Sequence, residues 1–141
     1  MPTLPWVKPN PARPDTSAFV MASRLEVRSL KHVPRFFLKS LSAWGQVRKA
    51  PGALGASLEA QLFKGVFFTL SAWESKDALY TYARTNPHKD VVRDVRSTMR
   101  GSTFTFWEVP VDQLPIDWND AKRRIDEQAR VDATNGGRAA H

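Results

Sequence analysis

The chain has 141 residues and no cysteine, which excludes disulfides, thiolate nucleophiles and zinc–sulfur sites. It lacks any run close to the roughly 20 apolar residues of a membrane-spanning helix, and its N-terminus lacks the apolar core of a signal peptide. The longest dense apolar run, Val66 to Trp73, is interrupted by two hydroxyl residues and has the length of a strand. We therefore expect a cytoplasmic protein of one domain without a membrane span.

Short motifs of common enzyme classes are also missing from the sequence. The seven glycines form neither a G-x-G-x-x-G dinucleotide fingerprint nor a phosphate loop. No serine stands in a G-x-S-x-G elbow, and no histidine–carboxylate group has metal-site spacing. Catalysis would then depend on shaping and desolvating a reactive substrate, or on a bound haem.

Acidic residues are scarce in the first 50 positions, where nine Lys or Arg face two acids, and this excess matches the net charge of +7. A nucleic-acid binder is expected to place such charges beside exposed aromatics or a recognisable reading element. Here they are mixed with core-forming residues, so the pattern favours solubility or attraction to anionic surfaces over nucleic-acid binding.

Alternation and helical periodicity predict the element order β-α-β-β-α-β, which is ferredoxin-like and of the α+β class. The predicted strands are residues 18–30, 58–63, 66–73 and 102–109, and apolar and polar side chains alternate along the first two. One amphipathic helix runs from Pro34 to Pro51-Gly52, a second begins at Ser75, and Asn86-Pro87 restarts it.

The chain divides into four predicted parts. Residues 1–17, which hold five of the ten prolines, form an extended arm that Trp6 either anchors or leaves free. Residues 18–110 form the ferredoxin-like barrel domain. Residues 111–130 form a C-terminal extension with a short helix from about Trp118 to Gln128, and the polar residues 131–141 are a disordered tail.

A ferredoxin-like sheet covers one face with its helices and leaves the other face bare. Because a bare apolar face has to be covered, we expect an identical copy to pack on it, which gives a homodimeric α/β barrel. Each subunit would then hold a hydrophobic small-molecule ligand between its sheet and its helices.

Three segments carry a resemblance to a known superfamily: APGALG (residues 50–55), FFTLSAW (residues 67–73) and NPH (residues 86–88). On these segments, residues 18–109 resemble the dimeric α+β barrels of the antibiotic biosynthesis monooxygenases. Within that superfamily they are most similar to bacterial proteins related to spheroidene monooxygenase, many of unknown function. The resemblance implies a monooxygenase-like oxidoreductase that acts on hydrophobic, often polycyclic or polyene, molecules.

Two departures from the superfamily pattern leave the cofactor open between haem and none. Cofactor-free and haem-degrading members carry an Asn four residues before the strand-end Trp, whereas Thr69 precedes Trp73 here. The ligand histidine of the haem-degrading members falls near Val91, which cannot bind iron. His88 is then the only nearby substitute.

His88 is the predicted catalytic residue and the candidate haem iron ligand. On a helical wheel it lies within the arc of apolar residues that follows Asn86-Pro87, in the first helical turn. The partial positive charge of the helix end disfavours the imidazolium, and a neutral imidazole can act as a general base or bind a metal. The alternative is a core histidine bonded to backbone.

Trp73 ends its strand at the mouth between sheet and helices, and we predict that it forms a wall of the catalytic pocket. The predicted substrate-binding residues come from the same strand and the facing helix: Phe37, Leu41, Trp44, Phe67, Thr69 and Ser71. The two hydroxyls can orient a ligand carbonyl or hydroxyl, and Tyr82 is a candidate proton donor. Plain core packing is the alternative for each of them.

Three function classes stay open on the sequence alone. The first is a monooxygenase-like enzyme with a hydrophobic substrate, and the second is a non-catalytic barrel protein that binds a small molecule or haem. The third is a binder of nucleic acid or of an anionic surface through the basic N-terminal third.

Overall fold

The structure is a computed structural model that describes residues 3–84 and 98–135. Five antiparallel strands form one sheet in the order β1-β3-β4-β2-β5; they are β1 (Thr3–Val7), β2 (Ser17–Val27), β3 (Ala53–Gln61), β4 (Val66–Trp73) and β5 (Met99–Pro110). The helices of these residues are α1 (Val33–Val47), α2 (Lys76–Arg84) and α3 (Trp118–Asn135). Three 3-10 turns lie at Leu30–His32, Leu62–Lys64 and Val111–Gln113.

The strand order confirms the predicted α+β, ferredoxin-like arrangement. The four predicted strands lie side by side as β3-β4-β2-β5, and α1 connects β2 to β3 as expected. The helix predicted from Asn86 onward lies outside the described residues.

Alternation along the central strands divides the sheet into two faces. On the helix face, Ser23 of β2 lies opposite Thr69 of β4, and Phe36 of α1 packs on Phe67 with ring centroids 4.6 Å apart. On the far face, Ala22 lies opposite Leu70. Because side chains alternate with a period of two, this one register determines which side chains reach each face.

The far face is covered by α3 of the same chain. Ile125 is 1% exposed and packs in one apolar cluster with Leu70 and other residues of that face. The Lys122 ammonium lies 2.6 Å from the Glu59 carboxylate, and the Trp118 indole donates to the Ser57 hydroxyl at 3.2 Å. The expectation of a bare far face is therefore wrong for the area that α3 covers. The homodimer stays a prediction.

The last helix is longer than predicted and reaches Asn135 rather than about Gln128. Contacts along its own surface extend it: the Gln128 amide donates to Asp132 at 2.9 Å, and the Thr134 hydroxyl donates to the Arg130 carbonyl at 3.0 Å. Residues four apart on a helix meet in this way without a core beneath them. Part of the segment expected to be a disordered tail is thus helical.

Part of the extended arm is a strand, because an edge position tolerates proline. Thr3 pairs with Glu59 and Val7 with Ala56. Trp6 lies over Gly55, where a Cβ would stand 2.0 Å from the indole ring, so this crossing requires glycine. Trp6 therefore anchors the arm to the far face.

Strand β3 begins five residues earlier than predicted, at Ala53 rather than Leu58. Its first half is buried on both faces, between α1 and α2 on one side and β1's Trp6 on the other. A strand buried on both faces shows no alternation, so the pattern could not reveal it.

None of the described helices combines the length and apolar character that a membrane crossing needs.

Cover of the far face by α3 predicts a large effect of Ile125→Ala. The substitution should lower the free energy of unfolding by about 2–5 kcal/mol, because it leaves a cavity in a packed core. Val131→Ala, at a position of the same helix that is 51% exposed, should change it by less than about 0.5 kcal/mol. Urea denaturation of both variants tests this, and equal small effects would show that α3 does not close the core.

Candidate functional site

A cavity of about 480 Å³ lies between the helix face of the sheet and helices α1 and α2. Small-molecule sites commonly have volumes of about 300–1,000 Å³, so one organic ligand fits. Its apolar lining includes Met21, Leu25, Leu58, Phe36, Trp44 and Val47. Hydroxyl residues also line it, among them Ser23, Ser40, Thr69, Ser71 and Tyr82. The site is therefore an apolar chamber with a few oriented polar groups.

The strand register brings the sheet hydroxyls together. Ser23 and Thr69 are cross-strand partners, and their hydroxyls are hydrogen-bonded to each other. Ser71 lies two residues along the same face of β4. Because a hydroxyl donates one hydrogen and accepts at two lone pairs, the Ser23–Thr69 pair keeps one hydrogen to donate elsewhere.

Trp73 determines how the Ser71 hydroxyl is used. The Trp73 indole nitrogen donates to the Ser71 oxygen at 2.9 Å. Since indole is a donor only, Ser71 has to be the acceptor in this bond, and its own hydrogen can be donated to a ligand. The cavity floor thus offers hydrogen-bond donors to a ligand oxygen.

Tyr82 closes the chamber from α2. Its ring packs on Trp73 with centroids 5.1 Å apart, and its backbone carbonyl accepts from the Gln46 side chain of α1 at 3.1 Å. Burial raises the pKa of the Tyr82 phenol far above its ordinary value of 10.0, because the apolar surroundings disfavour the phenolate. Tyr82 is therefore a neutral phenol at physiological pH.

The cavity reaches the surface at the beginning of β5. Residues 100–102 line it and are exposed, and a Cβ on Gly101 would meet no atom within 4 Å. The Arg100 guanidinium at this rim lies 2.6 Å from the Glu26 carboxylate. This ion pair fixes the side chain nearest the opening.

Three of the six predicted substrate-binding residues line the cavity: Trp44, Thr69 and Ser71. The other three do not. Phe67 is fully buried beneath Phe36 and Phe37, and Phe37 and Leu41 are partly buried outside the lining. Phe67 and Phe37 pack in the core, which was the alternative stated for them, whereas Leu41 is only partly buried.

The predicted catalytic pair is not brought together by the described residues. Trp73 is 0% exposed and is absent from the lining, so it acts on the cavity through Ser71 and Tyr82 rather than as a wall. His88 lies outside the described residues. Its roles as base and as iron ligand stay predictions.

Several lining residues were not predicted, and the strand pairing is the information that was missing. Alternation along the first strand places Met21 and Ser23 on one face, but only the register places Ser23 against Thr69. Phe36 and Ser40 lie on α1 one helical turn apart, where the Ser40 hydroxyl donates to the Phe36 carbonyl at 2.9 Å. A helical wheel shows which side of the helix these residues lie on, but not whether their side chains reach the cavity.

The described lining does not fit a haem site. It contains no imidazole, and its candidate ligands are two thioethers, Met21 and Met99, and the phenol of Tyr82, which burial keeps protonated. Within residues 3–84 and 98–135, no three His, Asp or Glu side chains are grouped as metal ligands. We therefore assign no step to haem.

Comparison with solved structures shows which proteins share this fold. Three bacterial proteins named as candidate antibiotic biosynthesis monooxygenases are similar. The one from Deinococcus radiodurans is 15% identical with a TM-score of 0.58, over 64% of this chain and 91% of the other. The one from Caulobacter crescentus is 23% identical with a TM-score of 0.54, over 68% of this chain and 90% of the other. The one from Nitrosomonas europaea is 13% identical with a TM-score of 0.56, over 63% of this chain and 95% of the other.

These identities are low, so the likeness establishes the fold and does not transfer an activity or a ligand. No curated protein sequence matches the chain. Residues 19–136, in contrast, match the family described as a domain of unknown function, DUF3291. The match spans most of the chain, from β2 into the last residues of α3 and beyond. The chain therefore belongs to the DUF3291 family and has the fold of the antibiotic biosynthesis monooxygenases.

Proposed function

We propose that this protein is a monooxygenase-like enzyme that holds a hydrophobic small molecule in the cavity between its sheet and its helices. The single observation that carries the proposal is the chamber of about 480 Å³ with its apolar walls and its row of hydroxyls. The ligand would be a molecule of fused-ring size with one carbonyl or hydroxyl oxygen, because the sheet hydroxyls can donate to one such atom.

Monooxygenation sets a requirement on the reaction. One oxygen atom of O₂ enters the substrate and the other leaves as water, which takes two electrons and two protons. These come from the substrate itself or from an added reductant. A proton acceptor is also needed where the substrate is a weak acid, and we propose His88 for this role.

A non-catalytic binder is the second candidate, and one specific observation favours it. The described lining contains no carboxylate and no imidazole, and its one cation, Arg100, is paired with Glu26. The same chamber would then bind and release its ligand unchanged. Ligand binding without oxygen uptake separates this candidate from the enzyme.

The sheet hydroxyls predict that Ser23→Ala combined with Thr69→Val, which removes both hydroxyls of the pair, selectively weakens ligands that carry an oxygen. The affinity for 2-naphthol should fall about five- to tenfold through loss of one hydrogen bond, while the affinity for naphthalene stays the same. Thr103→Val is the matched control, because Thr103 is also buried in the sheet but faces away from the cavity, opposite Arg24. Fluorescence titration measures both ligands, and equal losses in the two variants would contradict the assignment.

The raised pKa of Tyr82 predicts a pH dependence of stability. A group whose folded-state pKa is raised contributes stability that is complete below its ordinary pKa of 10.0 and is lost as the pH rises above it. From about pH 9 to about pH 11 the free energy of unfolding should fall by about 1 kcal/mol more in the wild type than in Tyr82→Phe.

Tyr80→Phe removes an exposed phenol from the same helix and is the control for that measurement. It should leave the decline of the wild type unchanged. Urea denaturation at the two pH values gives the comparison. A Tyr82→Phe protein that follows the wild-type decline would show that the phenol ionises freely in the folded state.

Oxygen uptake tests the enzymatic proposal directly. With 1-naphthol as probe, in the presence and absence of ascorbate, the wild type should consume O₂ and form an oxygenated naphthalene. His88→Ala should lose this activity but retain 1-naphthol binding, and His32→Ala should retain both. Ser40→Phe should lose binding, because the added ring enters the cavity, whereas Ser42→Phe changes an exposed position of the same helix.

The outcomes separate the candidates. Binding without oxygen uptake under either condition would favour the non-catalytic binder, and full activity of His88→Ala would remove the role of His88. An absorption spectrum of protein from cells supplied with a haem precursor tests the second role of His88, as iron ligand. A Soret band lost in His88→Ala would assign that role.

A further inference from the structure

One end of the molecule combines exposed apolar side chains with unpaired cations. Phe63 is 91% exposed and Leu30 is 55% exposed. These two side chains sit on adjoining turns, since a Cβ on Gly65 would lie 3.7 Å from Leu30 Cδ2, and the Val27 amide donates to the Gly65 carbonyl at 2.9 Å. We call this surface the apolar tip.

The cations around the apolar tip are Arg28, Lys31, Arg35 and Lys64. All four are exposed, and none takes part in an ion pair within the part of the chain that the structure describes. The sequence contains no Asp or Glu between Glu26 and Glu59. Glu26, the carboxylate nearest in sequence, is paired with Arg100 at 2.6 Å. Among the described residues, the charges at this end that take part in no ion pair are therefore positive.

From this arrangement we propose that the apolar tip docks on an anionic lipid bilayer. Exposed Phe and Leu side chains enter the boundary between headgroups and acyl chains, and the surrounding Lys and Arg side chains meet the negative surface potential. A nucleic acid would satisfy the cations but leave Phe63 and Leu30 in water. A neutral protein surface would satisfy the apolar groups but leave the four charges unmatched.

The apolar tip adjoins the opening of the cavity. The Arg28 amide donates to the Thr98 carbonyl at 2.8 Å, and its guanidinium donates to the Met99 carbonyl at 3.2 Å. Met99 and the exposed residues 100–102 form the rim of the cavity. Docking would therefore hold the opening near the bilayer, from which a hydrophobic ligand enters. This second step rests on the proposed function, while the docking itself does not.

Vesicle flotation with the full chain tests the docking. We expect binding to phosphatidylcholine vesicles that contain about one-third phosphatidylserine, and weak binding to phosphatidylcholine alone. Binding should fall as salt is added, because salt screens the surface potential. Phe63→Ala should lower the partition coefficient about tenfold, and its exposure leaves the fold intact.

A pair of charge reversals gives the matched control. Lys31→Glu with Lys64→Glu should weaken binding to the anionic vesicles by at least about 25-fold. Lys8→Glu with Arg13→Glu makes the same change in net charge on the proline-rich arm, where Asn10 bonds to the Ala50 and Ala53 carbonyls at the opposite end of the sheet. That pair should weaken binding less than fivefold. Equal losses in both pairs would overturn the proposal, because net charge alone would then explain them.

Other results would also overturn it. One such result is equal binding of the protein to neutral and anionic vesicles, and another is vesicle binding that Phe63→Ala leaves unchanged. A third is a dimer in solution that Phe63→Ala dissociates, because the apolar tip would then be an interface between two copies. Tighter binding to a DNA duplex, insensitive to Phe63→Ala, would assign the cations to a polyanion. Ser40→Phe separates this inference from the proposed function: it should float with anionic vesicles like the wild type although it no longer binds 1-naphthol.

Discussion

The register between β2 and β4 is the constraint on which the rest of the structure depends. It places Ser23 against Thr69 under the helices and Ala22 against Leu70 under α3. A slip of one residue in β4 would turn Thr69 and Ser71 toward α3 and Leu70 toward α1 and α2. The turn that ends at Gly65, with φ 66°, and the fully buried Trp73 hold the two ends of β4 in this alignment. The polarity of the site is thus a property of the sheet rather than of a loop.

The sequence predicted those elements whose pattern is local. Val66–Trp73 was predicted with its observed bounds, because an apolar run follows the Lys64-Gly65 turn. Helix α1 begins one residue before Pro34, and its periodic apolar residues end at Val47. Two elements could not be predicted: the first half of β3 and the strand in the arm. Each forms by pairing with the other, and Gly55 is needed in β3 because the Trp6 ring of the arm crosses it. Such pairings are long-range and leave no periodic mark.

The site was predictable only to the same extent. Thr69, Ser71 and Trp44 line the cavity between the layers, because they lie on the inward face of their elements, and their role in substrate binding stays a prediction. Whether an inward residue touches the cavity depends on depth, which periodicity does not give. Phe67 fills the core beneath Phe36, although it alternates in phase with Thr69. The bond from Trp73 to Ser71, which gives Ser71 its hydrogen to donate, depends on rotamers that the sequence does not reveal.

The cavity and the apolar tip place related demands on the same ligand. A molecule that gains enough from the apolar walls to bind in the chamber also gains from leaving water for a bilayer, since both transfers remove similar apolar area from solvent. Its free concentration in water is then low, and an opening that faces water would meet it rarely. If the apolar tip docks on a bilayer as proposed, an opening at the rim of residues 100–102 lies where that molecule accumulates. The positions of the cavity and of the basic, apolar surface at one end of the sheet are therefore consistent with a single hydrophobic ligand that is taken from a membrane.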